Sequence, residues 1–151
     1  MRNSETKKPS KSEVELLFNL YNSGNLVEAE NHCKTLLNTY PDSALVSNML
    51  GVVFLAQGKP TQALTAYENT IQKNPDYPDV YNNLGILLNS LGQFDEAIEK
   101  FTKAVELDPD FGDALNNLGA MLQNQDQHER ALIHLSKVVA LKSNNPLAYF
   151  N

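Results

Sequence analysis

Asp79-Val80-Tyr81-Asn82-Asn83-Leu84-Gly85-Ile86-Leu87-Leu88 returns, altered but legible, 34 residues later as Asp113-Ala114-Leu115-Asn116-Asn117-Leu118-Gly119-Ala120-Met121-Leu122. The same distance upstream, Leu45-Val46-Ser47-Asn48-Met49-Leu50-Gly51-Val52-Val53-Phe54 keeps an asparagine, the aliphatic residue and the glycine. Self-similarity at a fixed period of roughly 20–50 residues marks a chain built from stacked supersecondary units, each burying its apolar face against the next.

Working outward from this stretch, four blocks align without gaps: 10–43, 44–77, 78–111 and 112–145. In the first half of each block, apolar residues one helical turn apart predict a buried stripe: Leu16 and Leu20, Leu50 and Phe54, Leu84 and Leu88, Leu118 and Leu122. A breaker follows as Gly24, Gly58, Gly92 and, in the fourth block, Asp126, where a left-handed or turn conformation ends the first helix. In the second half a small residue recurs as Ala29, Ala63, Ala97 and Ala131, where two helices approach closely. A larger one follows four positions on, as Cys33, Tyr67, Phe101 and Leu135. Pro41, Pro75 and Pro109 close three of the second helices, because a proline cannot continue them.

This pattern of leucine, glycine, alanine, aromatic and proline resembles the tetratricopeptide repeat over residues 10–145, and Pro146 to Asn151 reads as the opening of a fifth unit. The resemblance implies an all-α fold, a right-handed superhelical solenoid of antiparallel helix pairs. Two departures are local. Leu17 stands where later blocks have glycine, which predicts that the first two helices sit further apart, and Ser143 replaces the terminal proline of the fourth block. The first helix is expected to start near Ser12, where Ser12-Glu13-Val14-Glu15 has the form of a capping box. Residues 1–9 are polar and aperiodic, and a mobile tail is expected there. Glu13 stands where later blocks place Tyr81, Leu115 and Tyr149, a polar choice that suits the first unit of an array. Tyr149, Phe150 and Asn151 would begin a helix, so the native chain is expected either to continue or to have this edge covered by another copy.

The resemblance also implies a concave groove lined by the first helices of the repeats. The positions that commonly line it hold Asn48, Asn82, Asn83, Asn116 and Asn117 here, with Asn89 and Asn124 further along the same helices. Val52, Ile86 and Ala120 lie between them. Asparagine is a poor helix former, so this enrichment asks for a cause. Each carboxamide offers two donors and an acceptor, and a row of them is suited to the amide groups of an extended polypeptide. Alternatively, some asparagines bond neighbouring helices and hold the superhelical pitch. The same positions are similar to the asparagine-lined arrays of O-linked N-acetylglucosamine transferases and related bacterial proteins. A clamp for the carboxy-terminal acid of chaperones would need lysine or arginine on these helices, and only Lys11 stands at the groove entrance.

Composition narrows the function classes. The formal charge is −6, but residues 1–11 hold four basic groups against one acidic, leaving 8 basic and 17 acidic in the remainder. Such a body repels nucleic acid and anionic membrane. Apolar runs are too short for a membrane span and the N-terminus has no apolar signal core, so a cytoplasmic protein is expected. Cys33 is the only cysteine and stands at a core position, while His32, His128 and His134 have no metal-ligand spacing, so neither a metal nor a cofactor is expected. Asp95-Glu96 and Asp108-Pro109-Asp110 fall at helix ends and turns, where charge favours a helix start.

These readings converge on a non-catalytic scaffold that binds a protein or peptide in its groove. Two alternatives remain open: a substrate-presenting front section of a larger glycosyltransferase or sulfotransferase, and a structural module that self-associates as a homo-oligomer through its C-terminal edge.

Overall fold

The computed structural model describes residues 8–143, with side chains to Leu141. Eight α-helices and no strand are present among them: α1 Lys11–Asn22, α2 Leu26–Thr39, α3 Ala44–Ala56, α4 Pro60–Lys73, α5 Pro78–Ser90, α6 Phe94–Leu107, α7 Gly112–Asn124 and α8 His128–Ser143. Helices pair antiparallel through short turns, α1 with α2, α3 with α4, α5 with α6 and α7 with α8. The expected breakers hold the turns within these pairs. Gly24, Gly58 and Gly92 have φ of +77°, +71° and +76°, and Asp126 occupies the same left-handed region at +59°. That conformation costs an L-residue with a Cβ but not glycine, so the fourth turn carries a strain the others lack. Three second helices end two residues before Pro41, Pro75 and Pro109. With Ser143 in place of proline, α8 is still helical at Ser143, the last described residue, two positions beyond where α2, α4 and α6 end in their repeats.

The chain divides between Pro75 and Asp76 into two compact units. In the first, α1 begins at Ser10 rather than at Ser12. Ser10 Oγ accepts from the Glu13 amide at 3.3 Å, and the Ser10 amide donates to Glu13 Oε2 at 2.7 Å, a complete capping box. Both serines have glutamate three residues on. Ser10 is selected because Glu13 is also held from α2, with its carboxylate accepting from Tyr40 Oη at 3.2 Å and its carbonyl accepting from His32 Nε2 at 3.1 Å. The core of this unit gathers Leu17, Ala29, Cys33, Leu36, Val46, Met49 and Val53. Leu16, expected in the buried stripe, is 48% exposed, because among the described residues no helix packs on that side of α1. The α1 and α2 backbones come close along less of their length than those of the other three pairs, in keeping with leucine in place of glycine. At the other end of the unit the buried Thr70 hydroxyl bonds Ser47 Oγ at 2.7 Å and the Ala66 carbonyl at 2.8 Å, so no polar atom of that side chain is stranded.

In the second unit, Leu84, Leu88, Leu118 and Leu122 are buried as expected, together with Ala97, Phe101, Ala104 and Leu115. A Cβ on Gly85 would stand 2.7 Å from the Phe101 ring, and one on Gly119 would stand 2.6 Å from Leu135. The glycine is thus the space that its partner's side chain fills. Leu135, expected as core, is only half-buried, since nothing among the described residues packs over the outer side of α8. Asp95 and Glu96 sit in the first turn of α6, where they complement the positive end of the helix dipole. The readings for residues 1–7 and 146–151 lie outside the described residues.

Candidate binding face

The spacing of polar and small residues on α5 and α7 decides which of them reach one surface. Asn82, Ile86 and Asn89 follow one another at four and then three residues along α5, and Asn116, Ala120 and Asn124 at four and four along α7. Each set shares one side of its helix, opposite in character to the buried leucines. Asn89, Asn116, Ala120 and Asn124 are exposed, Ile86 is 40% exposed, and Asn83 and Asn117 are half-buried at the edge of the core. Asn82 is different. It is 6% exposed, and its Oδ1 accepts from Asn117 Nδ2 at 2.9 Å, joining α5 to α7.

In the first unit, Asn48 on α3 is 5% exposed and Val52 half-buried. The ten residues picked from the sequence thus fall into two sets: Asn48 and Asn82 inside the fold, the others wholly or partly on the surface. Burying a carboxamide is tolerated when it is hydrogen-bonded, and Asn82 meets that condition through Asn117. The sequence raised bonding between neighbouring helices as an alternative, but it did not say which asparagines would bond. A pair spaced one residue beyond the repeat period was the available signal, because it places the two side chains on facing sides of successive first helices.

Two features of the first unit had no sequence signal. A cavity of about 430 Å³ lies where Lys8 and Pro9 meet the α2–α3 turn, walled by Val14, Tyr40, Pro41 and Leu45. On α2, Glu30 reaches Lys34 Nζ at 2.5 Å and Lys59 Nζ at 3.1 Å, and the two ammonium groups stand 6.0 and 5.7 Å from the centre of the Phe54 ring. The Lys34 hydrogen bond, with those of Lys59 and Gln57, draws the Glu30 carboxyl down to about 2. Lys59 is 29 residues from Glu30, a separation that helical spacing does not relate.

Cys33 is fully buried and its thiol is pushed up to about 12 by burial and by Glu30, so it stays protonated and unreactive near neutrality. His32 bonds a backbone carbonyl, while burial and the charges of Arg130 and Lys137 lower the His134 pKa. Among the described residues no cluster of histidine, cysteine or carboxylates has the form of a metal site, and no helix is long and apolar enough to cross a membrane.

The architecture is similar to a crystal structure of MamA, at 22% identity and a TM-score of 0.74, covering 89% of this chain and 78% of that one. It is also similar to MamA from residue 41 to its end from Desulfovibrio magneticus RS-1, at 27% identity and 0.72, covering 89% and 76%. A third similar structure is Pseudomonas aeruginosa pilF, at 24% identity and 0.78, covering 91% of this chain and 63% of that one. No curated protein matches the chain. One tetratricopeptide repeat model matches residues 19–78 and 48–110, and a second matches 100–133. With helix pairs, turns and close contacts following the repeat as well, the chain belongs to the tetratricopeptide repeat family, whose all-α solenoids typically act as non-catalytic scaffolds for protein–protein interaction.

Proposed function

We propose that this chain binds an extended polypeptide along the face carried by α5 and α7, the first helices of its third and fourth repeats, within a division into four units at 10–43, 44–77, 78–111 and 112–145. The observation that carries the reading is the surface of α5 and α7, where exposed Asn89, Asn116 and Asn124 alternate with Ile86 and Ala120. The amides supply donors and acceptors for a peptide backbone, and the small and aliphatic residues between them supply apolar contact without blocking its approach. Such contacts read backbone more than side chains, so selectivity is broad and affinity modest. The location proposed is cytoplasmic, the partner a protein or peptide, and the acidic body disfavours nucleic acid and anionic membranes.

The test replaces Asn83 and Asn117 by alanine and measures capture of peptides from a random-sequence library. Binding should fall while the fold persists, with a stability loss of about 1 kcal/mol for the Asn117 hydrogen bond. A double variant that binds as the native protein does would remove these asparagines from the binding face. Presentation of substrates to a transferase uses the same face, and a native polypeptide much heavier than the 16.8 kDa of this sequence would direct attention to it.

A second reading rests on α8. Leu132, Ile133 and Val139 are 68, 67 and 66% exposed, a concentration of apolar surface that favours association with another copy. Concentration-dependent mass in sedimentation, abolished by Leu132→Lys, is the expected signature.

A further inference from the structure

Asn117 on α7 and Asn82 on α5 bond each other through their carboxamides, and their environments differ. Asn82 sits inside the fold and accepts, whereas Asn117 is half-buried and donates at 2.9 Å. A free asparagine side chain rotates about its last torsion through a broad well, so its oxygen and nitrogen exchange places at little cost. Here the acceptor beneath Asn117 removes that freedom. If the Asn117 carboxamide alone turned over, two oxygens would face each other with neither able to donate, and restoring the bond would require the buried Asn82 to turn over as well.

We infer that Asn82 is a positioning residue that fixes the orientation of the Asn117 carboxamide, so that Asn117 presents one acceptor and one remaining N–H to an extended polypeptide. This rests on the binding face proposed above. In an extended strand the N–H and C=O of a single residue point to the same side, and a partner must offer an acceptor and a donor together to meet both. With one N–H taken by Asn82, Asn117 retains Oδ1 and its second N–H. The orientation exists before the ligand arrives, so binding does not have to freeze that torsion. Asn82 itself, buried, contributes through Asn117 and not by contact.

The experiment uses the full chain and a fluorescein-labelled peptide recovered from a random-sequence library on the native protein. Asn82→Leu fills nearly the same space but removes the acceptor, and should weaken the peptide about fivefold, the worth of roughly one hydrogen bond. Asn82→Asp keeps an acceptor and should bind within about twofold of the native protein. In an Asn117→Ala background Asn82→Leu should have no further effect, because the two act as one unit. Equal weakening by Asn82→Leu with and without Asn117, or native affinity in Asn82→Leu, overturns the inference. Native affinity in Asn117→Ala, or failure to recover any peptide, instead overturns the binding face. In either case side-chain amide NMR reads the orientation alone. One Asn117 Nδ2 proton should exchange slowly with deuterated solvent in the native protein and in Asn82→Asp, and fast in Asn82→Leu; fast exchange in the native protein also overturns the inference.

Discussion

In the first repeat the side chain that fills the space between the paired helices comes from α1, as Leu17, and the residue across from it in the same core cluster is the small Cys33. In the third repeat the direction is reversed: Gly85 on α5 vacates the space and Phe101 on α6 fills it. The two positions are linked by a requirement on their combined volume, and either helix can supply it. The period therefore preserves a shared space more faithfully than it preserves either residue. A second contrast runs parallel. Glu30, in an ion cluster with Lys34 and Lys59, occupies the repeat position that Leu64, Ile98 and Leu132 hold in the other blocks.

The comparison breaks most severely at Leu17→Gly, which empties the first repeat with no bulky partner to compensate and should cost about 4 kcal/mol in chemical denaturation. Next is Gly85→Leu, which drives a side chain into the Phe101 ring and should cost about 2–3 kcal/mol through overpacking. Adding Phe101→Cys to Gly85→Leu converts the third repeat to the arrangement of the first, and should recover more than half of that loss. If the double variant is instead as unstable as the sum of the two single ones, the volume relation is not what sets these positions.

Smaller effects sharpen the second contrast. The Glu30 carboxyl is depressed in the fold, so its contribution is full above the ordinary carboxylate range and is lost as pH falls from about 4.5 to about 2. Glu30→Gln should remove that part of the acid dependence, visible as a flatter denaturation midpoint across this window. Asp126→Gly should raise stability by about 0.5–1 kcal/mol by relieving the left-handed strain, whereas Gly92→Asp should lower it by a similar amount. Unchanged thermal midpoints for both would show that the turn does not depend on residue type.

Much of this architecture was legible because it depends on residues close in the chain. The breakers at Gly24, Gly58, Gly92 and Asp126 act through their own backbone, and Pro41, Pro75 and Pro109 act on the helix just before them. What failed depends on neighbours that spacing does not give. Ser10 and Ser12 satisfy the same capping rule, and the choice between them is made from α2, through Tyr40 and His32 acting on Glu13. Leu16 follows the stripe by period and is exposed by its place at the end of a stack. Among the asparagines, composition marked the face, but that Asn82 is buried, that Asn117 is half-exposed, and that they bond across 35 residues follow from how α5 and α7 pack.

The most direct measurement is backbone and side-chain NMR of the protein during titration with a library-selected peptide. Shift changes should concentrate at Asn83, Ile86, Asn89, Asn117, Ala120 and Asn124. Changes concentrated instead on the outer surfaces of α6 and α8, or around Tyr40 and Leu45, with those six residues silent, would contradict the proposed binding face.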